Sequence, residues 1–60
     1  MKLDNVKHLG DGTYVSVGMG GIWITANHHD PDEATDKVFL DEYVSRNLIT
    51  WLRKILEEDF

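Results

Sequence analysis

The chain has 60 residues, with 11 acidic against 6 basic side chains, a formal net charge of −5 and no cysteine. This length allows a single domain, 1–60, and no stretch approaches the roughly 20 apolar residues that cross a membrane. Without cysteine there is neither a disulfide framework nor a cysteine-based zinc site, and the acidic balance argues against direct binding to nucleic acid.

The first nine residues predict an extended arm. Leu3, Val6 and Leu9 are spaced by three, but the Gly-Asp-Gly turn at 10–12 follows at once and leaves no room for a helix. A short edge strand at 7–9 is the most regular structure that we expect here. The first five residues contain no apolar run, so we expect no signal peptide and a cytoplasmic protein.

Residues 13–26 predict an antiparallel β-hairpin. Two alternating, β-branched and aromatic segments flank a glycine-rich segment at 18–21, which we expect to form a flexible turn. The simplest register places the aliphatic residues on the face beneath a helix, and Tyr14 and Trp23 on the opposite face. The aliphatic residues are Val15, Val17, Ile22 and Ile24.

A polar loop and a third strand are predicted after the hairpin. The loop, 27–36, is acidic and has Pro31 as its turn residue. Because a two-stranded ribbon is only marginally stable, we expect residues 37–40 to add a third strand.

Residues 41–58 predict one amphipathic helix. Asp41 is a good N-cap, and no glycine or proline interrupts the segment. Its apolar residues recur at the spacing of a core-facing stripe, with Trp51 expected as the central core residue. The stripe comprises Val44, Leu48, Trp51, Leu52 and Ile55. Ile49 and Leu56 form a second, narrower apolar edge, which is either the margin of a wide core face or a contact with a partner or a second copy.

The histidines and acidic residues of the loop do not form a convincing metal or catalytic motif. His28 and His29 are adjacent, so both would reach one metal only through a bend, and His8 is the one further histidine. The spacing of aspartates from Asp30 departs from a calcium loop, which requires glycine at its sixth position. We therefore expect no metal, no cofactor and no enzymatic activity.

The acidic residues are unevenly distributed. Between positions 11 and 45 there are seven acidic residues and a single base, Lys37. Such a surface favours a partner protein with a basic, nucleic-acid-binding surface. In extended chain, residues i and i+2 lie about 6.6 Å apart, similar to the phosphate spacing of one nucleic-acid strand. The candidate partner-binding residues are Asp30, Asp32, Glu33, Asp36, Glu42, Glu57 and Glu58.

The segments HLGDGTYVSV, GGIWIT and KVFLDEYVSRNLITWLRKI resemble those of small proteins encoded by phages and mobile elements. These share an LGDG-x-Y start, a short IW strand and a terminal leucine-rich helix, and the resemblance covers residues 8–56. Several such acidic proteins resemble anti-CRISPR inhibitors, so the resemblance implies that the protein blocks the DNA-binding surface of a defence complex.

The sequence thus predicts an α+β domain, with a three-stranded antiparallel sheet packed by one C-terminal helix. The expected function is that of a phage-encoded stoichiometric inhibitor, acting in the host cytoplasm through an acidic surface that mimics DNA. The alternative is a small accessory or structural interaction module, a monomer or a homodimer, without inhibitory role.

Overall fold

The computed structural model describes residues 2–59, so Met1 and Phe60, the ends of the predicted domain, lie outside the described residues. Within this range four strands precede one helix. They are β1 (Asp4–Gly10), β2 (Thr13–Gly18), β3 (Gly21–Ala26), β4 (Asp36–Leu40) and α1 (Glu42–Asp59). The fold is α+β, as predicted, but the sheet has one strand more than the three expected.

The sheet is a sequential antiparallel meander, in the order β1-β2-β3-β4. In the central hairpin Val15 pairs with Ile24 and Val17 with Ile22, which is the predicted register. The turn between them is tight, because Gly18 pairs with Gly21 and only Met19 and Gly20 remain, with φ of 56° and 77°. Positive φ at both positions is typical of the two-residue hairpin turn whose twist matches that of the strands.

Strand β1 occupies most of the segment that the sequence predicted as an extended arm. Asp4 pairs with Val17 and Lys7 with Val15, so β1 carries one residue more than β2 between these two pairs. This bulge includes Asn5, which has a φ of 50°. The short edge strand predicted at 7–9 lies within β1, but β1 begins three residues earlier. A bulge breaks the two-residue alternation from which a strand is recognised in a sequence, and this explains why the first part of β1 was not predicted.

The two faces of the sheet differ in composition. The helix face, on the side of α1, is aliphatic, and the aromatic face is opposite. The helix face carries Val15, Val17, Ile22, Ile24, Val38 and Leu40. The aromatic face carries His8, Tyr14, Ser16, Trp23, Thr25 and Phe39.

The aromatic face is covered by irregular chain. The rings of Trp23 and Phe39 lie 5.0 Å apart, and Leu3 of the N-terminal segment lies close to Gly18. After β3 the chain returns over this face, since the ring of His29 lies 6.3 Å from that of Tyr14. As a result the aromatic face, which the sequence analysis placed opposite the core, holds the most buried strand residues of the described chain.

Three polar atoms on the aromatic face are buried without a hydrogen-bond partner among the described residues. They are Ser16 Oγ, Thr25 Oγ1 and Trp23 Nε1. Ser16 and Thr25 are 1% and 2% exposed. A buried hydroxyl that makes no hydrogen bond costs free energy. Ser16 and Thr25 therefore contribute to this face through the small size of their side chains and not through their hydroxyl groups.

Helix α1 begins where the sequence predicts, but it presents a different side to the sheet. The Asp41 carboxylate accepts the Val44 N–H at 2.9 Å, which confirms the N-cap. Only Asp41 separates β4 from α1, and the Ser45 hydroxyl donates to the Leu40 carbonyl at 3.4 Å. This short connection turns Ser45 rather than Val44 toward the strands. The side chains that line the space above the sheet are therefore Ser45, Leu48, Ile49 and Leu52.

The prediction that Trp51 is the central core residue is wrong. Its side chain is 57% exposed, and Val44 and Leu52 of the same predicted stripe are also exposed. Leu48 and Ile55 are half-buried. Among the described aliphatic and aromatic residues, only Leu40, at 8% exposure, is buried. The connection through Asp41 fixes the orientation of α1 about its own axis. In this orientation the side of the helix that carries Trp51 does not face the sheet.

Candidate functional site

The loop between β3 and β4 is a built structure. The Asn27 N–H donates to the Gly12 carbonyl at 2.6 Å, which ties the start of the loop to the β1–β2 turn. The Thr35 N–H donates to the Ala26 carbonyl at 3.1 Å, and the Asn27 side-chain amide donates to the Thr35 hydroxyl at 2.8 Å. These bonds close the loop at its base and hold residues 28–34 as one turn.

Asp30 organises the tip of this loop. Its carboxylate accepts the Asp32 N–H at 2.9 Å, and its carbonyl accepts the N–H groups of Glu33 and Ala34, each at 2.9 Å. Its own N–H donates to Nδ1 of His28 at 2.9 Å. Pro31 is fully buried beneath the tip. Asp30 is thus half-buried and structural, and it takes part in four hydrogen bonds that shape the tip.

Three of the loop carboxylates are exposed on this fixed backbone. They belong to Asp32, Glu33 and Asp36, and we call the segment 30–36 the acidic turn. Residues 31–33 form a turn, so the extended-chain spacing that likened these carboxylates to phosphates does not apply. What the geometry provides is a compact group of negative charges at one end of the sheet, able to attract a cationic surface.

The remaining acidic candidates lie elsewhere. Glu42 follows β4 at the opposite end of that strand, and the five residues of β4 span about 13 Å from Asp36 to Leu40. Its carboxylate pairs with the Arg46 guanidinium at 2.9 Å, an exposed i, i+4 pair. Glu57 and Glu58 are exposed at the end of α1, whose last turn contains no basic residue. The seven candidates therefore form an acidic turn and two separate acidic positions on the helix.

The three histidines make ring contacts with Tyr14 and within the loop. The rings of His8 and Tyr14 lie 4.7 Å apart, and those of His28 and His29 are stacked at 4.6 Å. Nδ1 of His28 already accepts the Asp30 N–H. Within residues 2–59 no three histidine, cysteine, aspartate or glutamate side chains come together as a group that could hold a metal ion. The histidines act as ring contacts that join β1, β2 and the loop.

A second surface, which the sequence analysis did not identify, lies on the helix face. Two adjoining open clefts of about 370 and 380 Å³ separate α1 from the sheet. Ile22, Ser45 and Ile49 line both clefts, and Leu9 and Val15 line the larger one. Glu42 and Arg46, at the rim of the smaller cleft, are the charged residues among the linings. One feature of the sequence indicated this surface. Ile49 belongs to the second apolar edge of the helix, which the sequence left open between the margin of a wide core face and a contact with a partner or a second copy.

Comparisons with known proteins identify no relative of this chain. No family model, no curated protein and no solved structure matches it. Among the described residues, no helix is both long and apolar enough to cross a bilayer.

Proposed function

We propose that this protein is a small phage-encoded inhibitor that acts by binding, without catalysis, to a host protein whose basic surface normally grips nucleic acid. Such an inhibitor would work in the host cytoplasm and would need no cofactor. The resemblance to anti-CRISPR proteins gives the class of target. The acidic turn is the observation that supports this proposal, because it presents exposed carboxylates on a hydrogen-bonded backbone.

The rigidity of the acidic turn favours binding in two ways. The backbone N–H groups of Asp32 and Glu33 already donate to Asp30. Binding a partner therefore costs less conformational entropy in this segment. A fixed group of like charges also attracts arginine and lysine side chains from a distance and raises the association rate. We assign the main contact to Asp32, Glu33 and Asp36, and a supporting role to Asp30, which shapes the turn.

A pair of charge-reversal variants tests this assignment. The first is Asp32→Lys with Glu33→Lys, and the matched control is Glu57→Lys with Glu58→Lys, which changes the net charge equally on exposed helical positions. Each purified variant is used as bait in a host lysate at low and at high salt. Retained proteins are then tested for binding to duplex DNA, with and without excess inhibitor.

We expect the wild type and the helix control to retain a DNA-binding protein at low salt and to release it at high salt, and to displace DNA from it. The turn variant should lose this binding while keeping the circular dichroism spectrum of the wild type, because exposed substitutions change folding little. Equal retention and equal salt dependence of the turn variant would contradict the assignment. If only the helix control loses binding, the contact lies at Glu57 and Glu58.

The second candidate function is a structural interaction module without inhibitory role. The exposed apolar surface of the helix face favours it, since monomeric proteins rarely expose large contiguous apolar patches. Salt separates the two functions. Binding through the acidic turn weakens steeply as ionic strength rises, whereas binding through apolar clefts does not.

A further inference from the structure

We propose that the helix face is the interface of a homodimer, in which α1 of each copy packs on the part of the helix face that its own α1 leaves uncovered. This inference rests on the geometry of the helix face and is independent of the acidic turn.

The single chain exposes more surface than a compact monomer of its size. Its accessible surface is 4700 Å², whereas a compact protein of 6.9 kDa has about 4000 Å². The excess of about 700 Å² is close to the roughly 800 Å² that each partner buries in a standard interface. The radius of gyration, 12.2 Å, likewise exceeds the about 10.4 Å of a compact 60-residue chain. The surplus is of the size that one dimer contact would remove.

The uncovered surface has the width of one helix. The backbone of α1 lies closest to β3 and β4, and no Cα atom of α1 lies within 8 Å of one in β1 or β2. Two strands span about 10 Å, which matches the diameter of an α-helix with its side chains. The side chains of this half that line the clefts are apolar, namely Leu9, Val15 and Val17. Leu9, at 59% exposure, is the most exposed of these. Asp4 and Lys7 of β1 pair with Val17 and Val15 and lie on the same face.

Helix α1 is suited to fill that space on another copy. In addition to the residues that line its own clefts, α1 carries three apolar residues that are exposed in the single chain. Val44 and Trp51 lie on one flank of the helix, and Leu56 lies on the same side as Ile49. A helix that is apolar over so wide an arc requires contacts on more than one side. In a two-fold dimer each helix would contact its own sheet with one side and the partner sheet with the next, so both surfaces are used in both copies.

A second copy is the occupant that the energetics favour. The chain has no cysteine, and residues 2–59 contain no group of side chains that could hold a metal ion. Among these described residues, Leu40 is the one buried residue of the hydrophobic core. Domains this small commonly reach adequate stability through oligomerisation when disulfides and metals are absent. A partner needed for folding must be present wherever the chain is made, and a second copy always is. The charged side chains that line the clefts, Glu42 and Arg46, form an ion pair at 2.9 Å, so closing the clefts buries no unpaired charge from their lining.

The test uses sedimentation equilibrium and thermal unfolding of the wild type and two variants. Leu9→Asp places a charge in the uncovered half of the helix face, at a side chain that is exposed in one chain. Thr50→Asp is the matched control, because Thr50 is exposed on α1 and lines neither cleft. Each protein is measured over a hundred-fold concentration range at low and high salt.

We expect the wild type and Thr50→Asp to sediment at twice the 6.9 kDa of one chain. Their melting temperatures should rise by roughly 5–10 °C over the concentration range, because association is coupled to folding. Leu9→Asp should weaken dimerisation about 100-fold or more, since the charge would be buried unpaired. High salt should leave the wild-type dimer intact, which distinguishes this contact from one made by the acidic turn.

Three outcomes would overturn the inference. The first is a monomeric wild type with a melting temperature that does not change with concentration, which would leave the clefts to an apolar segment of another protein. The second is a dimer that Leu9→Asp and Thr50→Asp affect equally, which would place the interface elsewhere. The third is an open series of larger species, which a closed two-fold contact does not produce. If Leu9→Asp fails to fold, the wild-type concentration series can still overturn the proposal by showing a monomer.

Discussion

The aromatic face and the helix face of the sheet are covered in opposite ways. The aromatic face is partly covered by segments without regular structure, the N-terminal residues around Leu3 and the loop between β3 and β4. Ser16 and Thr25 are buried there, while Phe39 stays 40% exposed. The helix face has the regular element, α1, but remains open above β1 and β2. A helix is a rigid rod and covers only a strip about 10 Å wide, whereas irregular chain follows the contour of a twisted sheet. In this protein the loop gives the closer packing, and the helix leaves surface for another molecule.

The two tryptophans provide the strongest test of this comparison, because one lies on each side. Trp23 packs on Phe39 and is half-buried, whereas Trp51 is exposed. We expect Trp23→Ala to cost about 3–5 kcal/mol, comparable to the whole stability of a domain of this size. Urea unfolding followed by circular dichroism would measure the loss.

Trp51→Ala is the counterpart on the helix side. In dilute solution, where the chain is monomeric, it should cost less than about 1 kcal/mol, because the side chain is already in water. Under the proposed dimer the cost should grow with protein concentration. If Trp51→Ala destabilises the dilute monomer as much as Trp23→Ala does, then α1 packs on its own sheet through the Trp51 side and the comparison fails.

Gly12→Ala tests whether the loop closure depends on the β1–β2 turn. Gly12 has a φ of 76°, and a Cβ at this position would lie 2.9 Å from Oδ1 of Asn27. The substitution should cost about 1–3 kcal/mol through backbone strain and displacement of the loop base. Hydrogen exchange of the Asn27 and Thr35 amides reports the loop directly. Gly20→Ala is a suitable control, because Gly20 also has a positive φ but nothing lies within 4 Å of its Cβ position. Equal losses in both variants would mean that strain alone is responsible.

Thr25→Val tests whether the buried hydroxyl on the aromatic face lowers the stability of the protein. The hydroxyl of Thr25 is buried without a hydrogen-bond partner among the described residues. Replacing it with a methyl group removes the cost of desolvation at similar shape, so stability should stay equal or rise by about 1 kcal/mol. A loss of more than about 1 kcal/mol in the midpoint analysis of urea unfolding would show that the hydroxyl is hydrogen-bonded in solution.

The smallest expected effect is that of chelation. His8, His28 and His29 contribute ring contacts and a hydrogen bond, and we expect none of them to hold a structural metal. The melting temperature should be the same with EDTA and with added zinc. A chelator-dependent fall of more than a few degrees would mean that a metal closes the loop over the aromatic face.

The sequence predicted those features that depend on local pattern. Alternation gave the register that pairs Val15 with Ile24, and the carboxylate of Asp41 marked the start of α1. The expected edge strand at 7–9 lies within β1, but the first part of β1 was not recognised, because its bulge at Asn5 interrupts the alternation. The acidic residues of the loop were identified, but the turn geometry set by Asp30 was not, because it depends on the specific hydrogen bonds of one side chain.

The side of α1 that faces the sheet could also not be predicted from the spacing of its apolar residues. A helical wheel with apolar residues over a wide arc does not state which part of the arc faces the sheet. That choice depends on the connection from β4, where a single residue and the Ser45 hydroxyl fix the first turn. The prediction of a buried Trp51 failed for this reason. The sequence left Ile49 open between the margin of a wide core face and a partner contact, and the structure places it in the lining of both clefts.

The strand order has a consequence for the speed of folding. Each strand pairs with the strand that precedes it, and α1 follows directly on the last strand. Every pairing is therefore local in sequence, and the entropy lost in closing each connection is small. Such a topology folds quickly, because no early strand must wait for a distant one. As the chain leaves the ribosome, β1, β2 and β3 can pair in turn, and the helix that exposes the apolar surface is added last.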